Sequence, residues 1–421
     1  MLSFSFAERV QNLNPSAIRE ILKYSADPEV VGLSAGNPAP EAFPLEVIAD
    51  ISSRIFRDRP IDALQYGTTE GYGPLRERLK AYLKQKHGIG RAFDELLITS
   101  GAQQAIELVA KVLCNPGDVV LCESPSFVGA LNSIKSLGAR LVGVPLEEEE
   151  ILLQVLHIQL LAVGQLVLDE EDGIDLAALE EALKTEPNVK FLYLIPNFQN
   201  PSGITTSLEK RKRILELAQR YGFLVLEDNP YGDLRFEGEH VPAVKSFDEN
   251  GYVAYVGSFS KVLSPGIRVG YVMAPSALLA KMIVCKQGED VHTPMWNQML
   301  AEAFMRETDY EAHLRRLQEI YRKKAQLMID LVEEHLVPAG IAYHPIQGGL
   351  FLWCDLPEGT DMPEFCTLAV RDHKVAVVPG NAFLTSPDLP CRSFRMNFST
   401  PTDDAMCRGL SRLGAFAREY L

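Results

Sequence analysis

The sequence predicts an α/β protein in which helices cover both faces of a largely parallel β-sheet. Between Leu96 and Met273, short apolar runs alternate with longer segments that have the periodicity of amphipathic helices. The apolar runs are nearly continuous, which is typical of parallel strands buried on both faces. Ligands of such sheets bind at the carboxyl ends of the strands. We therefore expect a ligand crevice along that edge of the sheet.

The predicted strands are short aliphatic and aromatic runs that end at turn-forming residues. In chain order they are Leu96–Thr99, Val119–Cys122, Leu141–Leu146, Phe191–Ile195, Phe223–Glu227, Val253–Val256, Val269–Met273, Gly349–Cys354 and Lys374–Val378. In the later stretch Arg392–Ser399, strand alternation places the apolar side chains on one face. Arg395 and Asn397 lie on the other face.

The predicted helices are segments in which apolar residues recur every three or four positions. In chain order they are Asn14–Lys23, Leu75–Lys86, Gln104–Leu113, Leu176–Lys184, Leu208–Tyr221 and Tyr310–Glu334, with a further helix at the end of the chain. The stretch Leu33–Pro40 is predicted to be an irregular loop, because glycine and two prolines cannot continue a regular element.

Composition limits the class of protein. The chain has 421 residues, enough for two domains, and carries a net charge of −15, which does not favour binding to nucleic acid or to an anionic membrane. Seven scattered cysteines form no C-x-x-C pair, which argues against a disulfide framework and against a zinc site. Glu8 and Arg9 interrupt the N-terminus before a signal peptide could develop. We therefore expect a cytoplasmic protein.

One segment departs from the α/β pattern. Between Glu147 and Glu171 the chain has four successive glutamates and then the apolar stretch Ile151–Leu168. Four polar side chains interrupt this stretch, and its length is at the lower limit for crossing a membrane. We interpret it as an inserted hairpin or helix.

The stretch Val256–Tyr271 contains the most informative chemistry. Lys261 lies in a turn rich in hydroxyl groups, and Arg268 follows seven positions later. Lysine forms Schiff bases with carbonyls when burial or a second cation releases some free amine. Ser258, Ser260 and a guanidinium would suit a phosphate dianion. Pyridoxal phosphate (PLP) carries both an aldehyde and a phosphate; the alternative is a surface lysine in a serine-rich loop.

Other candidates also follow predicted strands. Asp228 is in the right place to hold a pyridine nitrogen protonated, although an aspartate there is often only a turn or cap residue. The small-residue turn Ser100–Gln103 opens a helix, which makes it either an anion site or an ordinary helix start. Arg395 either lies on a solvated face or binds a substrate carboxylate.

Taken together, these motifs resemble the fold-type I, class I/II PLP-dependent aminotransferases over nearly the whole chain. The motifs are Q-Y-G-T-T-E-G-Y-G-P-L-R, T-S-G-A-Q-Q-A, P-N-F-Q-N-P-S-G, E-D-N-P-Y, G-S-F-S-K-V-L-S-P-G-I-R-V-G and F-R-M-N-F-S. The helix at Asn14–Lys23 and the segment Lys286–Pro294 are most similar to the α-aminoadipate and kynurenine aminotransferase subgroup.

The resemblance implies a role for each matching residue. Lys261 would be the Schiff-base lysine, Asp228 the partner of the pyridine nitrogen, and Asn200 and Tyr231 the partners of the phenolic oxygen. Phosphate would be held by Gly101, Ala102, Gln103, Ser258, Arg268 and nearby Ser260, with Tyr66 reaching it across the interface of a homodimer. Phe127 would stack on the cofactor in place of the usual tyrosine, and Ala102 replaces the usual serine.

The resemblance also implies an overall plan. A large PLP-binding domain, residues 48–300, would contain a mostly parallel seven-stranded sheet, and residues 1–47 and 301–421 would form a smaller α+β domain. Arg395 would bind the substrate α-carboxylate, with Asn200 and Gly36 nearby, and Arg19 would bind a side-chain carboxylate.

The implied activity is ping-pong transamination between an amino acid of the 2-aminoadipate or glutamate type and a 2-oxo acid such as 2-oxoglutarate. Arg19 has an alternative interpretation as a solvated helix residue. A broad aromatic, kynurenine or branched-chain specificity, a PLP lyase and a non-catalytic ligand sensor are the alternative functions.

Overall fold

The computed structural model describes residues 4–11, 27–147 and 172–421. The strands of these ranges match eight of the nine predicted strands to within two residues at each end, and three of them, of two residues each, were not predicted. The strands are β1 (Val31–Gly32), β2 (Asp94–Thr99), β3 (Val119–Ser124), β4 (Arg140–Glu147), β5 (Gly173–Ile174), β6 (Val189–Leu194), β7 (Leu224–Asp228), β8 (Val253–Ser258), β9 (Gly270–Pro275), β10 (Ala342–Tyr343), β11 (Phe351–Asp355), β12 (Val375–Ala376), β13 (Val378–Pro379) and β14 (Ser393–Asn397).

The helices of the same ranges include five predicted ones, with bounds that agree to within two residues, the predicted terminal helix, and seven helices that were not predicted. The helices are α1 (Glu8–Gln11), α2 (Leu45–Asp58), α3 (Pro60–Leu64), α4 (Gly73–His87), α5 (Ala102–Leu113), α6 (Val128–Ser136), α7 (Leu176–Thr185), α8 (Leu208–Tyr221), α9 (Ser276–Glu289), α10 (Met295–Glu307), α11 (Tyr310–His335), α12 (Met362–Arg371) and α13 (Asp403–Tyr420). The bounds of α8 agree with the prediction, because Ser207 caps its first turn and Gly222 ends it in the left-handed conformation.

A central sheet forms the core of the fold, with the strand order β2-β9-β8-β7-β6-β3-β4-β5. Pairing is parallel from β8 through β7, β6 and β3 to β4, while β9 runs antiparallel to both β8 and β2. The seven predicted strands are present, and the two-residue strand β5 extends the sheet to eight. A strand of two residues has no apolar run of its own, so the sequence pattern could not indicate it.

A second, antiparallel sheet has the order β10-β11-β14-β13, and β1 pairs with β12 in parallel. The prediction of a single strand at Lys374–Val378 is wrong in one respect. Val375 pairs with β1 whereas Val378 pairs with Arg395 of β14, so the chain changes sheets and the run divides into β12 and β13. The assignment of residues 48–300 to one domain and the remainder to another stays a prediction.

Burial in β14 resolves one of the alternatives for Arg395. The side chains of Phe394, Met396 and Phe398 are buried in the main hydrophobic core. Arg395 and Asn397 on the opposite face are buried as well, at 3% and 0% exposure, so that face is not solvated.

Two predicted features fall mainly outside the described residues. The helix Asn14–Lys23, with Arg19, lies entirely outside them, and of the insertion Glu147–Glu171 only Glu147 is described. Glu147 ends β4 and pairs with Lys210 on α8 at 2.6 Å. No helix of the described ranges is both long enough and apolar enough to cross a bilayer.

Candidate active site

Lys261 lies in the turn that follows β8. Its Nζ donates a hydrogen bond to the carbonyl oxygen of Gly36, 2.7 Å away, which belongs to the predicted loop Leu33–Pro40. Burial, together with the positive charges of Arg395 and Arg268, lowers the pKa of Lys261 to about 8. A lysine with this pKa is partly in the free-amine form at neutral pH, as a nucleophile or base requires.

Asp228 is the last residue of β7, so it ends the strand instead of following it as predicted. The carboxyl group is 3% exposed, and its Oδ2 accepts a hydrogen bond from the Tyr193 hydroxyl at 2.7 Å. Its Oδ1 is buried and has no hydrogen-bond partner among the described residues. Burial raises the pKa of Asp228 to about 7, although the bond from Tyr193 acts to lower it. A cationic N–H donor at Oδ1 would favour the ionised form.

Arg395 points into the same region from β14. Its Nη1 donates to Asn200 Oδ1 at 2.6 Å, and its Nη2 donates to the Ser34 carbonyl at 2.9 Å. The guanidinium lies 4.0 Å from the ring centroid of Phe351. Burial lowers the pKa of Arg395 to about 10, which still leaves it cationic at neutral pH. A buried cation with a planar set of donors is suited to a carboxylate.

The loop Ser34–Gly36 therefore joins the two principal cations. Ser34 accepts from Arg395, and Gly36 accepts from Lys261. A side chain at Gly36 would meet the Phe351 ring at 2.8 Å, so glycine permits the loop to pass this close to the site. The structure thus brings Gly36, Asn200, Lys261 and Arg395 together, although they are far apart in the sequence.

The small-residue turn after β2 has the geometry of an anion site. Gly101 caps α5 with φ of 81°, a conformation that favours glycine, and exposes the first N–H groups of the helix. Arg268 Nη2 donates to the Ser100 carbonyl at 3.1 Å, and a Cβ at Gly101 would lie 2.3 Å from this nitrogen. The guanidinium and the helix N-terminus therefore lie side by side.

The other predicted phosphate contacts differ in what they offer. Ser258 Oγ donates to Ser260 Oγ at 2.9 Å, so the two hydroxyls lie together at the end of β8. The Gln103 side chain instead donates to the Gly129 carbonyl and to Ser133 Oγ, at 2.9 and 2.8 Å. Gln103 therefore has only its backbone N–H left to offer an anion, as does Ala102.

The aromatic candidates lie around the same crevice. Tyr231 is buried, and its ring meets Phe351 edge-on at 5.9 Å between centroids. Burial raises the pKa of Tyr231 well above its usual value, and a hydrogen bond with Asn200 opposes this rise. Phe127 is the residue that precedes α6, next to Gly129.

Two predicted site residues are not brought to this crevice within the described part of one chain. Tyr66 is 80% exposed, and its ring packs edge-on against His292 at 5.7 Å. Arg19 lies outside the described residues.

Sequence reasoning missed Tyr193, Phe351 and Ser34. Tyr193 lies in the run F-L-Y-L-I, which predicts only an apolar strand. A buried tyrosine usually finds a partner for its hydroxyl, so this residue carried a usable signal. Ser34 contributes only its carbonyl oxygen to Arg395, and no side-chain pattern indicates such a contact.

These residues fit pyridoxal phosphate on three separate counts. Asp228 offers a buried oxygen without a partner among the described residues, Gly101 caps a helix beside a guanidinium, and Lys261 has an amine with a lowered pKa. The three groups match the ring nitrogen, the phosphate and the aldehyde of that cofactor.

The comparisons with known proteins agree with this geometry. Residues 28–413 match the family described as Aminotransferase class I and II. The 2-aminoadipate transaminase of Thermus thermophilus is 38% identical over 98% of this chain and 96% of its own length. Aromatic-amino-acid aminotransferase 1 of Thermococcus litoralis is 35% identical over 99% of this chain and 94% of its own length.

A solved structure is similarly close. The kynurenine aminotransferase of Pyrococcus horikoshii, solved in complex with PMP, superposes with a TM-score of 0.89 at 34% identity, covering 99% of this chain and 97% of that one. The match spans both sheets and all the elements that position Lys261, Asp228 and Arg395. The chain therefore belongs to the class I and II aminotransferase family, and its cofactor is pyridoxal 5'-phosphate.

Proposed function

We propose that this protein transfers the amino group of an L-amino acid, with 2-aminoadipate and glutamate favoured, to a 2-oxo acid such as 2-oxoglutarate. One observation carries the proposal: the loop Ser34–Gly36 binds both the Lys261 amine and the Arg395 guanidinium through its carbonyl oxygens. A base and a carboxylate-binding group that share one loop are arranged for an α-amino acid, whose Cα–H lies next to its carboxylate.

The side chains then have distinct tasks. Arg395 binds the α-carboxylate, and Asn200, which accepts from Nη1, orients the guanidinium. Lys261 Nζ takes the proton from Cα of the substrate and delivers it to a carbon of the cofactor. When bound, pyridoxal phosphate supplies the electron sink for the Cα–H bond that breaks. Asp228, whose Oδ1 has no partner among the described residues, would accept a hydrogen bond from the ring nitrogen and stabilise its positive charge.

The preference for an acidic substrate is supported by sequence. The segments Asn14–Lys23 and Lys286–Pro294 resemble the α-aminoadipate subgroup, and the Thermus thermophilus relative is a 2-aminoadipate transaminase. We assign Arg19 to the side-chain carboxylate on this resemblance. The aromatic enzyme of Thermococcus litoralis supports the alternative of a broad aromatic specificity.

Substrate choice is tested by steady-state kinetics with 2-aminoadipate, kynurenine and leucine as donors and 2-oxoglutarate as acceptor. Glutamate is tested as donor with 2-oxoadipate as acceptor, because its exchange with 2-oxoglutarate gives no net reaction. We expect the highest kcat/KM with 2-aminoadipate or glutamate. Arg19→Ala should lower kcat/KM for these two donors by about tenfold or more, since a charge-assisted hydrogen bond is lost. Leucine is the internal control, because it has no side-chain carboxylate and its kcat/KM should not change.

Other outcomes would replace this proposal with a specific alternative. The highest kcat/KM with kynurenine, or an equal effect of Arg19→Ala on leucine, contradicts the acidic specificity. Release of a product other than the oxo acid identifies a lyase. Binding of amino acids without turnover identifies a ligand sensor.

We also propose a homodimer with shared active sites. The surface formed by α2, α3 and the turn after them exposes several large apolar side chains, which pack against α10 at one edge through Phe56 and Trp296. These side chains are Leu45, Val47, Phe56, Ile61, Leu64 and Tyr66. Several large apolar side chains exposed on neighbouring elements are typical of an interface. Tyr66 would extend from it to the phosphate turn of the partner.

Mixing two inactive variants tests the shared site. Tyr66→Ala and Lys261→Ala should each have low activity at limiting cofactor, whereas dissociated and reassociated mixtures should recover about a quarter of the wild-type activity. Half of the dimers are then mixed, and each mixed dimer has one intact site. Lack of recovery in a mixture that still forms dimers would show that Tyr66 serves its own chain.

We infer a cytoplasmic location from the cysteines. All seven are free in the structure, which suits a reducing compartment. Fractionation of cells that produce the protein checks this inference.

A further inference from the structure

Lys286 is a buried cation for which the mechanism above has no use. The side chain is 0% exposed and lies in the segment Lys286–Pro294 at the end of α9. Its Nζ donates to both carboxylate oxygens of Asp290, at 2.8 and 2.9 Å. It also donates to Gln104 Oε1 at 2.7 Å and to Thr293 Oγ1 at 3.2 Å.

Burying an ammonium group is costly unless a counter-charge and hydrogen bonds replace the lost water. Asp290 supplies the counter-charge for Lys286. Burial alone would raise the pKa of Asp290, but the hydrogen bonds from Lys286 and Ser100 lower it below its usual value. Burial lowers the pKa of Lys286, and its hydrogen bonds with Asp290 oppose this fall. The two bonds of 2.8 and 2.9 Å make the pair a close ion pair that is near neutral overall.

The partners of this pair lead to the phosphate turn. Asp290 Oδ2 accepts from Ser100 Oγ at 2.7 Å and from Gln104 Nε2 at 2.9 Å. Gln104 Oε1, which accepts from Lys286, also accepts from the Ser100 backbone N–H at 2.8 Å. Ser100 and Gln104 immediately flank Gly101, Ala102 and Gln103. Both ends of the turn are thus fixed to one ion pair.

We propose that Lys286 and Asp290 are positioning residues for the phosphate of the cofactor. They hold Ser100 and Gln104 so that the N–H groups of residues 101–103 converge on one point, and they do not contact the phosphate themselves. This inference rests on the proposed assignment of the turn as the phosphate site.

The charges explain why both members of the pair are needed. The neutral pair leaves the positive potential of the turn to the helix N-terminus and to Arg268. In Lys286→Met, the Asp290 carboxylate would remain behind the turn without its counter-charge. That carboxylate would repel a phosphate dianion, and Gln104 Oε1 would lose the hydrogen bond that Lys286 donates to it.

The test measures how tightly the cofactor-free protein binds pyridoxal phosphate and pyridoxal, as two dissociation constants. The two compounds differ only in the phosphate group. The ratio of the two constants reports what the phosphate contributes to binding. In Lys286→Met, the preference for pyridoxal phosphate over pyridoxal should fall about tenfold, while the affinity for pyridoxal changes little. Equal losses for both compounds would indicate a merely structural role and overturn the proposal.

Lys245 provides a matched control. It is also 0% exposed and pairs with two carboxylates, Asp94 at 2.7 Å and Asp248 at 2.9 Å. Asp248 accepts from the backbone N–H of Val253 at the start of β8, the opposite end of the strand from Ser258. Lys245→Met should destabilise the fold without changing the ratio.

Two further variants keep the test decisive if Lys286→Met does not fold. Ser100→Ala removes only the hydroxyl that donates to Asp290, and should lower the ratio about threefold. Arg268→Gln tests the phosphate site itself. A ratio that falls in Arg268→Gln but not in Ser100→Ala or Lys286→Met overturns the role of the ion pair. A ratio unchanged in all three overturns the assignment of the turn, and the inference with it.

Discussion

Lys261→Ala should lower kcat for transamination by about four orders of magnitude, the largest effect expected of any single substitution in this chain. The amine that the structure places beside Gly36 and near Arg395 is the only group assigned to move the Cα proton. Alanine removes that amine and leaves the carboxylate-binding group in place. The measurement is kcat with 2-aminoadipate and 2-oxoglutarate, made at saturating cofactor.

Lys135 is a suitable control for this substitution. It is also partly buried, its Nζ donates to the carbonyl oxygen of Thr385 at 2.7 Å, and burial lowers its pKa. Lys135→Ala should retain most of kcat. Adding a small primary amine such as methylamine should restore part of the activity of Lys261→Ala, because it replaces the missing base. Turnover by Lys261→Ala at the wild-type rate would refute the assignment.

Asp228→Asn is expected to have the second-largest effect, a loss in kcat of about two to three orders of magnitude. Asparagine keeps the size of the side chain and an oxygen that can accept from Tyr193. It removes the negative charge that would stabilise a protonated ring nitrogen. The loss should appear in kcat and much less in KM, because Arg395 and Asn200 still bind the substrate. Wild-type kcat in this variant would refute the role of Asp228.

The cofactor-free protein allows a separate measurement on Asp228 that does not depend on turnover. Burial raises its pKa from 3.8 to about 7, so between these values the native state keeps a proton that the unfolded chain releases. The free energy of unfolding contributed by Asp228 therefore falls as pH rises from about 4 to 7, and no such fall occurs with asparagine. Without cofactor, Asp228→Asn should gain in Tm relative to the wild type across this interval.

Pyridoxal phosphate should shift the difference in Tm between the two proteins in favour of the wild type. A cationic N–H donor at Oδ1 favours the ionised carboxylate, so saturating cofactor should raise the Tm of the wild type more than that of Asp228→Asn. A Tm difference that does not vary with pH in the cofactor-free protein would show that Asp228 does not titrate in the folded state.

Local sequence patterns determined most of the helices and strands, and they located the strand ends at which the candidate site residues lie. The nearly continuous apolar runs predicted the strands of the central sheet, because strands buried on both faces need apolar residues at every position. The carboxyl ends of those strands then placed Gly101, Asn200 and Lys261 at one edge of the sheet. The motifs, taken as a set, supplied the family, the cofactor and the roles of these residues.

Only the tertiary structure decided which groups touch. Arg395 had two interpretations in the sequence, and its bonds to Asn200 and Ser34, from 195 and 361 positions away, place it in the crevice. The hydroxyl of Tyr193 and the ion pair of Lys286 with Asp290 acquire their roles in the same way. Sequence patterns report the burial and spacing of neighbouring residues, whereas a hydrogen bond depends on atoms that the packing of distant elements brings within 3 Å.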